Sequence, residues 1–147
     1  MKIIGKYELK PFEVDFFKHH LRFSTDGRIV GNLAETWFAE IINGVRQNER
    51  SPFDVLGPDG SKHEIRSAIK NISFASSNEV GQGRQVTEEG FNKKLNSIDD
   101  YIVIDTQNII NGYVTFVQVT KDDIPTLGLG KNKKMSSVKF WKLVYGN

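Results

Sequence analysis

Two acids on either side of a tight turn are the first chemistry legible in this chain. Asp54 closes the run Ser51-Pro52-Phe53-Asp54, and Glu64 lies just beyond Gly57-Pro58-Asp59-Gly60. Proline followed by aspartate and glycine makes that tetrapeptide a turn. Phe53–Leu56 before it and Lys62–Phe74 after it read as strands, the second long enough to bend. A hairpin folded at 57–60 sets the two carboxylates side by side. Adjacent carboxylates repel, and a divalent cation relieves that repulsion. Magnesium takes one or two protein carboxylates and fills its shell with water and phosphate oxygens. Against a phosphodiester it polarises the phosphoryl group, activates a water and stabilises the leaving oxygen. The expected cofactor is Mg2+, with Mn2+ as its substitute, and the expected chemistry is phosphodiester hydrolysis.

The strand that carries Glu64 also carries cations. Side chains alternate along a strand, so Lys62, Glu64, Arg66, Ala68 and Lys70 share one face. The cations of that face can hold a scissile phosphate and stabilise its developing charge. The opposite face, with His63, Ile65, Ser67 and Ile69, is partly core-like. Two further segments suit nucleic acid. Gly81-Gln82-Gly83-Arg84-Gln85 combines an arginine, which pairs bidentately with guanine, and two glutamines, which pair with adenine. Gln82, Arg84 and Gln85 are therefore candidates for base readout. Lys131, Lys133 and Lys134, in Gly130-Lys131-Asn132-Lys133-Lys134, are candidates for phosphate contacts. The expected partner is double-stranded DNA.

The elements that must position these residues alternate in type. Residues 11–23 read as a short amphipathic helix with Pro11 in its first turn, and 24–27 as a turn. Residues 29–45 carry the clearest helical period, with Val30, Leu33, Ala34, Trp37, Phe38, Ile41, Ile42 and Val45 forming one stripe. Asn43-Gly44 marks its end. Glu35 lies at the edge of that stripe, where it can point toward the body of the protein. A polar loop spans 76–86, and Thr87 caps a helix opened by Glu88-Glu89. Tyr101–Asp105, Tyr113–Thr120 and Val138–Tyr145 read as strands. Trp37 and Trp141 suit a core better than a stacking platform. The fold class expected is α/β (α+β), with a central mixed sheet flanked by helices.

The chain resembles the PD-(D/E)XK nuclease superfamily, in particular the small type II restriction endonucleases. The likeness rests on Ser51-Pro52-Phe53-Asp54, the hairpin, Glu64-Ile65-Arg66 on the next strand, and the preceding helical run Gly31-Asn32-Leu33-Ala34-Glu35. Motifs cover about residues 30–75, and the order of elements agrees to about residue 120. The resemblance implies a restriction-endonuclease-like core with Asp54, Glu64 and the backbone carbonyl of Ile65 as metal ligands. It implies Glu35 in or beside the metal shell. Arg66 takes the position of the family's lysine and departs from it, because a guanidinium stays protonated and cannot accept a proton from water. Arg66 then acts as an electrostatic clamp, or Lys62 or Lys70 serves in its place, or the subunit is slow or inactive. The implied function is a magnesium-dependent DNA endonuclease, of restriction type or its small catalytic subunit. A structure-selective resolvase or repair nuclease and an inactive DNA-binding subunit are the alternatives. A homodimer, or a heteromer with a recognition subunit, is implied for double-strand cutting.

Composition narrows the frame. The 147 residues suffice for a single domain, 1–147, with a hydrophobic core. The absence of cysteine excludes disulfides, thiolate zinc sites and cysteine nucleophiles, and suits a reducing cytoplasm. The three histidines, His19, His20 and His63, lack metal-cluster spacing. A formal charge of +2 is too small to announce nucleic acid by itself, so the local clusters carry that reading. No apolar run approaches a membrane span, and the charged opening MKIIGKYELK is not expected to be a secretory leader.

Overall fold

The computed structural model describes residues 1–80 and 83–146. Helices and strands are mixed, as the pattern predicts. Strand β1 (Lys2–Glu8) precedes helices α1 (Pro11–His19) and α2 (Gly27–Ile42). Then come β2 (Val45–Arg46), β3 (Val55–Leu56), β4 (Lys62–Ser67) and β5 (Asn71–Ser73). Helix α3 (Glu88–Asn96), β6 (Asp100–Asp105), β7 (Tyr113–Thr120), β8 (Lys134–Ser136) and α4 (Ser137–Tyr145) complete the chain. A six-stranded mixed sheet runs in the order β1-β7-β6-β4-β3-β2, and β5 pairs with β8 in a separate ribbon. Among the described residues only β4 and β6 pair in parallel; the other ladders are antiparallel.

Strand alternation sorts the core into two layers. Ile102 and Ile104 of β6 join Val30, Ala34, Trp37 and Phe38 of α2 on one face. Tyr101 and Val103 join Phe91 of α3 and Phe140 of α4 on the other. Residues on β4 follow the same rule: Glu64 pairs with Tyr101 and Arg66 with Val103, so both lie on the α3 face. Helix α2 begins at Gly27 because Asp26 accepts hydrogen bonds from the Arg28 and Ile29 amides. It ends where Asn43 turns left-handed at φ 54° and the Gly44 amide returns to the Ala39 carbonyl. Both ends fall short of, or beyond, the expected 29–45 by a few residues.

Four expectations need correction. Val138–Tyr145 is not a strand but helix α4. Its β-branched and aromatic residues favour a strand, yet Ser136 accepts from the Lys139 amide as an N-cap and Gly146 closes the far end at φ 76°. Phe140 is fully buried, with Trp141 and Val144 packed beside the same core, while Val138 and Leu143 face solvent. That is a helical stripe, and tertiary burial overrides propensity. Replacing Ser136 with alanine is expected to lower stability by about 1 kcal/mol. In a chain of this size that is a fall of about 2–4 °C in Tm, read by thermal denaturation.

The long strand expected over 62–74 breaks after Ser67. Ser137 Oγ donates to the Ile69 and Lys70 carbonyls at 2.8 and 3.0 Å, which holds the bend and hands β5 to β8. The helix expected over 11–23 stops at His19, and a 3-10 turn occupies Leu21–Thr25. Finally, β1 was not anticipated as a strand, though it lines the sheet edge against β7. Its sequence, Lys2–Glu8, shows exposed residues on both faces at its start and gives little alternation.

Candidate metal and phosphate site

The turn at 57–60 does fold β3 onto β4, with Val55 opposite His63 and Leu56 opposite Lys62. One step further along that register sets Asp54 opposite Glu64. The Asp54 amide donates to the His63 carbonyl at 2.9 Å, and the Asp54 carboxylate accepts from the Ile65 amide at 2.8 Å. A side chain thus replaces a ladder carbonyl just before β3 begins, and this fixes Asp54 against β4.

The Asp54 carboxyl is within electrostatic reach of both Glu64 and Glu35 of α2. Burial pushes its carboxyl above the usual range; hydrogen bonds with the Ile65 amide and with Glu64 oppose this, and the Glu35 charge adds to it. Glu64 is 4% exposed. Burial also pushes its carboxyl up, against the pull of Arg66 and Lys94, and the neighbouring Asp54 adds to the rise. The three acids predicted from sequence are therefore neighbours, with two of them buried enough to resist ionisation.

The cations differ from expectation. Arg66 does meet Glu64, Nη1 to Oε2 at 2.9 Å. However, its guanidinium is spread over the backbone: Nε donates to the Ser73 carbonyl at 2.8 Å, Nη2 to Ala75 at 2.9 Å and Nη1 to Ile65 at 3.1 Å. It also lies 5.6 Å from the Tyr101 ring centroid. Arg66 ties the bend between β4 and β5 to the acid. The second cation on Glu64 is Lys94 of α3, Nζ to the same Oε2 at 2.9 Å. Lys94 also donates to the Pro52 carbonyl at 2.9 Å, so it links the proline-acid segment to β4. Its side chain is 10% exposed.

Sequence reasoning missed Lys94. A signal exists: it lies three residues after buried Phe91, on the inward stripe of α3. Next to Lys93 it reads as one of a solvated pair, and its partner is remote in sequence. Arg46 of β2 was also missed. It donates to Glu35 Oε2 at 3.0 Å and closes a cavity that Glu35 and Asp54 line.

The other predicted cations lie apart. Lys62 is exposed, its Nζ 5.9 Å from the Phe53 ring centroid, with no ion pair to Glu64 among the described residues. Lys70 sits beyond the end of β4, exposed in the bend, so strand alternation does not set its face. Lys133 has partners within the fold. Its ammonium pairs with Glu88 at 2.6 Å and lies 5.0 Å from the Phe91 ring centroid, so it anchors α3. Gln82 lies outside the described residues. Arg84, Gln85, Lys131 and Lys134, distant in sequence, line one cavity of about 590 Å³. A cavity of about 440 Å³ opens on the Lys94 side, and Glu79 walls both.

On the other face of β4, His63 is buried with Nδ1 2.5 Å from Asp100 Oδ1 and Nε2 2.8 Å from Ser61 Oγ. Ser61 Oγ is held by Asp59 at 2.5 Å, and Gln118 completes Asp100 at 2.8 Å. This chain pins the hairpin turn to β6 and β7. With its hydroxyl donated to Asp59, Ser61 is a structural serine rather than a nucleophile.

Among the described residues, no group of three or more His, Cys, Asp or Glu side chains is placed to hold a metal ion. The donor set present is smaller: two carboxylates and the Ile65 carbonyl. It matches an ion that keeps most of its shell for water and phosphate. The Ile65 carbonyl accepts one hydrogen bond from Arg66 and, with two lone pairs, retains one for a cation. Comparison with family models, with characterised proteins and with solved structures finds no match for this chain.

Proposed function

We propose that this protein is a magnesium-dependent DNA endonuclease, with a restriction-endonuclease-like core and a cleavage centre built on Asp54, Glu64 and Glu35. The observation that carries this reading is the meeting of Asp54 and Glu64 across a hairpin, with Lys94 and Arg66 on the buried acid. Opposed, partly desolvated carboxylates beside fixed cations favour a divalent ion and an anionic substrate together. Asp54, Glu64 and the Ile65 carbonyl would hold Mg2+, or Mn2+ in its place. The ion supplies Lewis acidity at the phosphoryl oxygen and an acidified water. Glu35 orients the water shell, and Lys94 takes the place that the motif gives to a lysine. Arg66 holds the strand bend and the charge of Glu64.

Arg84, Gln85, Lys131 and Lys134 support a DNA track leading away from this centre. Four basic or amide side chains in one open cavity offer both phosphate and base-edge contacts. One chain carries one such centre. A double-strand cut therefore takes a second copy, a partner subunit or two successive nicks, and a homodimer on a palindromic site is the arrangement we favour. Among the described residues no helix is long and apolar enough to cross a membrane.

The test is direct. Purified protein incubated with supercoiled plasmid and Mg2+ should yield discrete fragments if it is a restriction-type enzyme. Nicked circles would point to a structure-selective nuclease. No cleavage in Mg2+ or Mn2+, alone or with a partner subunit, would sink the enzymatic reading.

A further inference from the structure

Arg46 lies on the edge strand β2 and reaches back across one turn of α2. Its Nη1 donates to Thr36 Oγ1 at 3.1 Å, and Nη2 donates to Glu35 Oε2 at 3.0 Å and to Asn32 Oδ1. These three partners are spaced three and four residues apart, so they form one face of the helix. The Arg46 side chain is 40% exposed and that of Glu35 21%. Both border the cavity of about 570 Å³ that Asp54 also lines. A fixed positive charge therefore borders the acid cluster, on Glu35, whereas Lys94 and Arg66 both pair with Glu64.

This inference rests on the metal-site reading above. A divalent ion at Asp54 and Glu64 competes with Arg46 for Glu35, because a cation and a guanidinium close together repel. A DNA phosphate entering with the ion brings a new anion to the same cavity. The guanidinium cannot discharge by losing a proton, and its fork matches two phosphate oxygens. We propose that Arg46 is a charge-exchange residue. It neutralises Glu35 in the metal-free protein, yields Glu35 when the ion binds, and turns onto a backbone phosphate of the bound duplex.

The exchange separates two affinities that a merely structural arginine would move together. The full chain is titrated with Mn2+ alone by calorimetry, and with a fluorescent duplex in Ca2+ by anisotropy across a range of salt. Arg46→Gln retains amide donors for Asn32 and Thr36 but not the charge. It is expected to bind Mn2+ about tenfold more tightly than wild type. Its duplex affinity should fall about tenfold, and the slope of log affinity against log salt should become shallower by about 0.9, one phosphate contact. Arg46→Lys should recover the salt slope and part of the duplex affinity. Unchanged Mn2+ affinity in Arg46→Gln, or an unchanged salt slope, overturns the exchange. Wild-type protein that binds no Mn2+ defeats the metal-site reading, and the exchange with it. Wild-type binding that Asp54→Ala loses, with Arg46→Gln indistinguishable from wild type, defeats the exchange alone.

Discussion

Replacing Asp54 with asparagine is expected to abolish cleavage, by about a thousandfold or more, while raising the melting temperature of the metal-free protein. The two effects share one cause. Burial and the Glu35 charge hold the Asp54 carboxyl above its ordinary value of 3.8. A group whose pKa rises on folding is most favourable to the fold when protonated. Its contribution is complete below the unfolded value and is lost as pH rises through the folded one. At neutral pH the ionised Asp54 thus opposes folding, and on the proposed reading a bound metal ion would relieve it. Asparagine is neutral and keeps an oxygen to accept the Ile65 amide, so it removes the repulsion without opening a hole. Its Tm should exceed that of wild type at neutral pH, by about 2–4 °C for each kcal/mol relieved. The gap should close as pH falls through the raised value at which the wild-type carboxyl takes up its proton. Added Mg2+ should raise the Tm of wild type and not that of the variant. Thermal melts across pH, with and without Mg2+, read all three. Retained cleavage, or a neutral-pH Tm below wild type, would remove Asp54 from the metal site.

Asp54 and Glu64 were legible because the contact between them is local. A turn of known chemistry joins them, and strand register does the rest. Glu35 was legible for a related reason, since α2 has a clean apolar stripe and the acid sits at its edge. What sequence did not disclose depends on distance. Lys94 reaches Glu64 only because α3 lies over β4 in the folded sheet, and Arg46 reaches Glu35 only because β2 returns along α2. The partners of Lys133 are not legible in sequence because Glu88 and Phe91, which hold it, belong to another element. Helix α4 was lost to local preference: Val138, Phe140 and Val144 favour a strand until the burial of Phe140 and the Ser136 cap decide otherwise. In each case a short-range rule met a long-range contact, and the contact won.

On the proposed reading Lys94 and Arg66 divide the work of a single lysine, and substitution should separate them. Both charge-pair with Glu64, but only Arg66 also satisfies three backbone carbonyls. Removing Arg66 leaves Ser73, Ala75 and Ile65 without their donor and weakens the bend that starts β5. Arg66→Ala should therefore destabilise the fold by about 3–5 kcal/mol, the usual result of breaking a buried ion pair. Lys94→Met keeps the stem that packs near Pro52 and leaves Arg66 on Glu64. It should lose less stability, yet slow cleavage by about a hundredfold to a thousandfold through loss of a charge beside the reacting phosphate. Duplex affinity should change only a few-fold, because the ammonium faces the acid rather than open groove. Lys94→Arg restores charge but cannot match the ammonium's compact geometry, and partial rescue of the rate is expected. The readouts are single-turnover cleavage, duplex anisotropy and thermal melts on the same preparations. If Lys94→Met cleaves at the wild-type rate while folding normally, the ammonium is a structural strut for the Pro52 segment. The water beside the metal would then be activated without it.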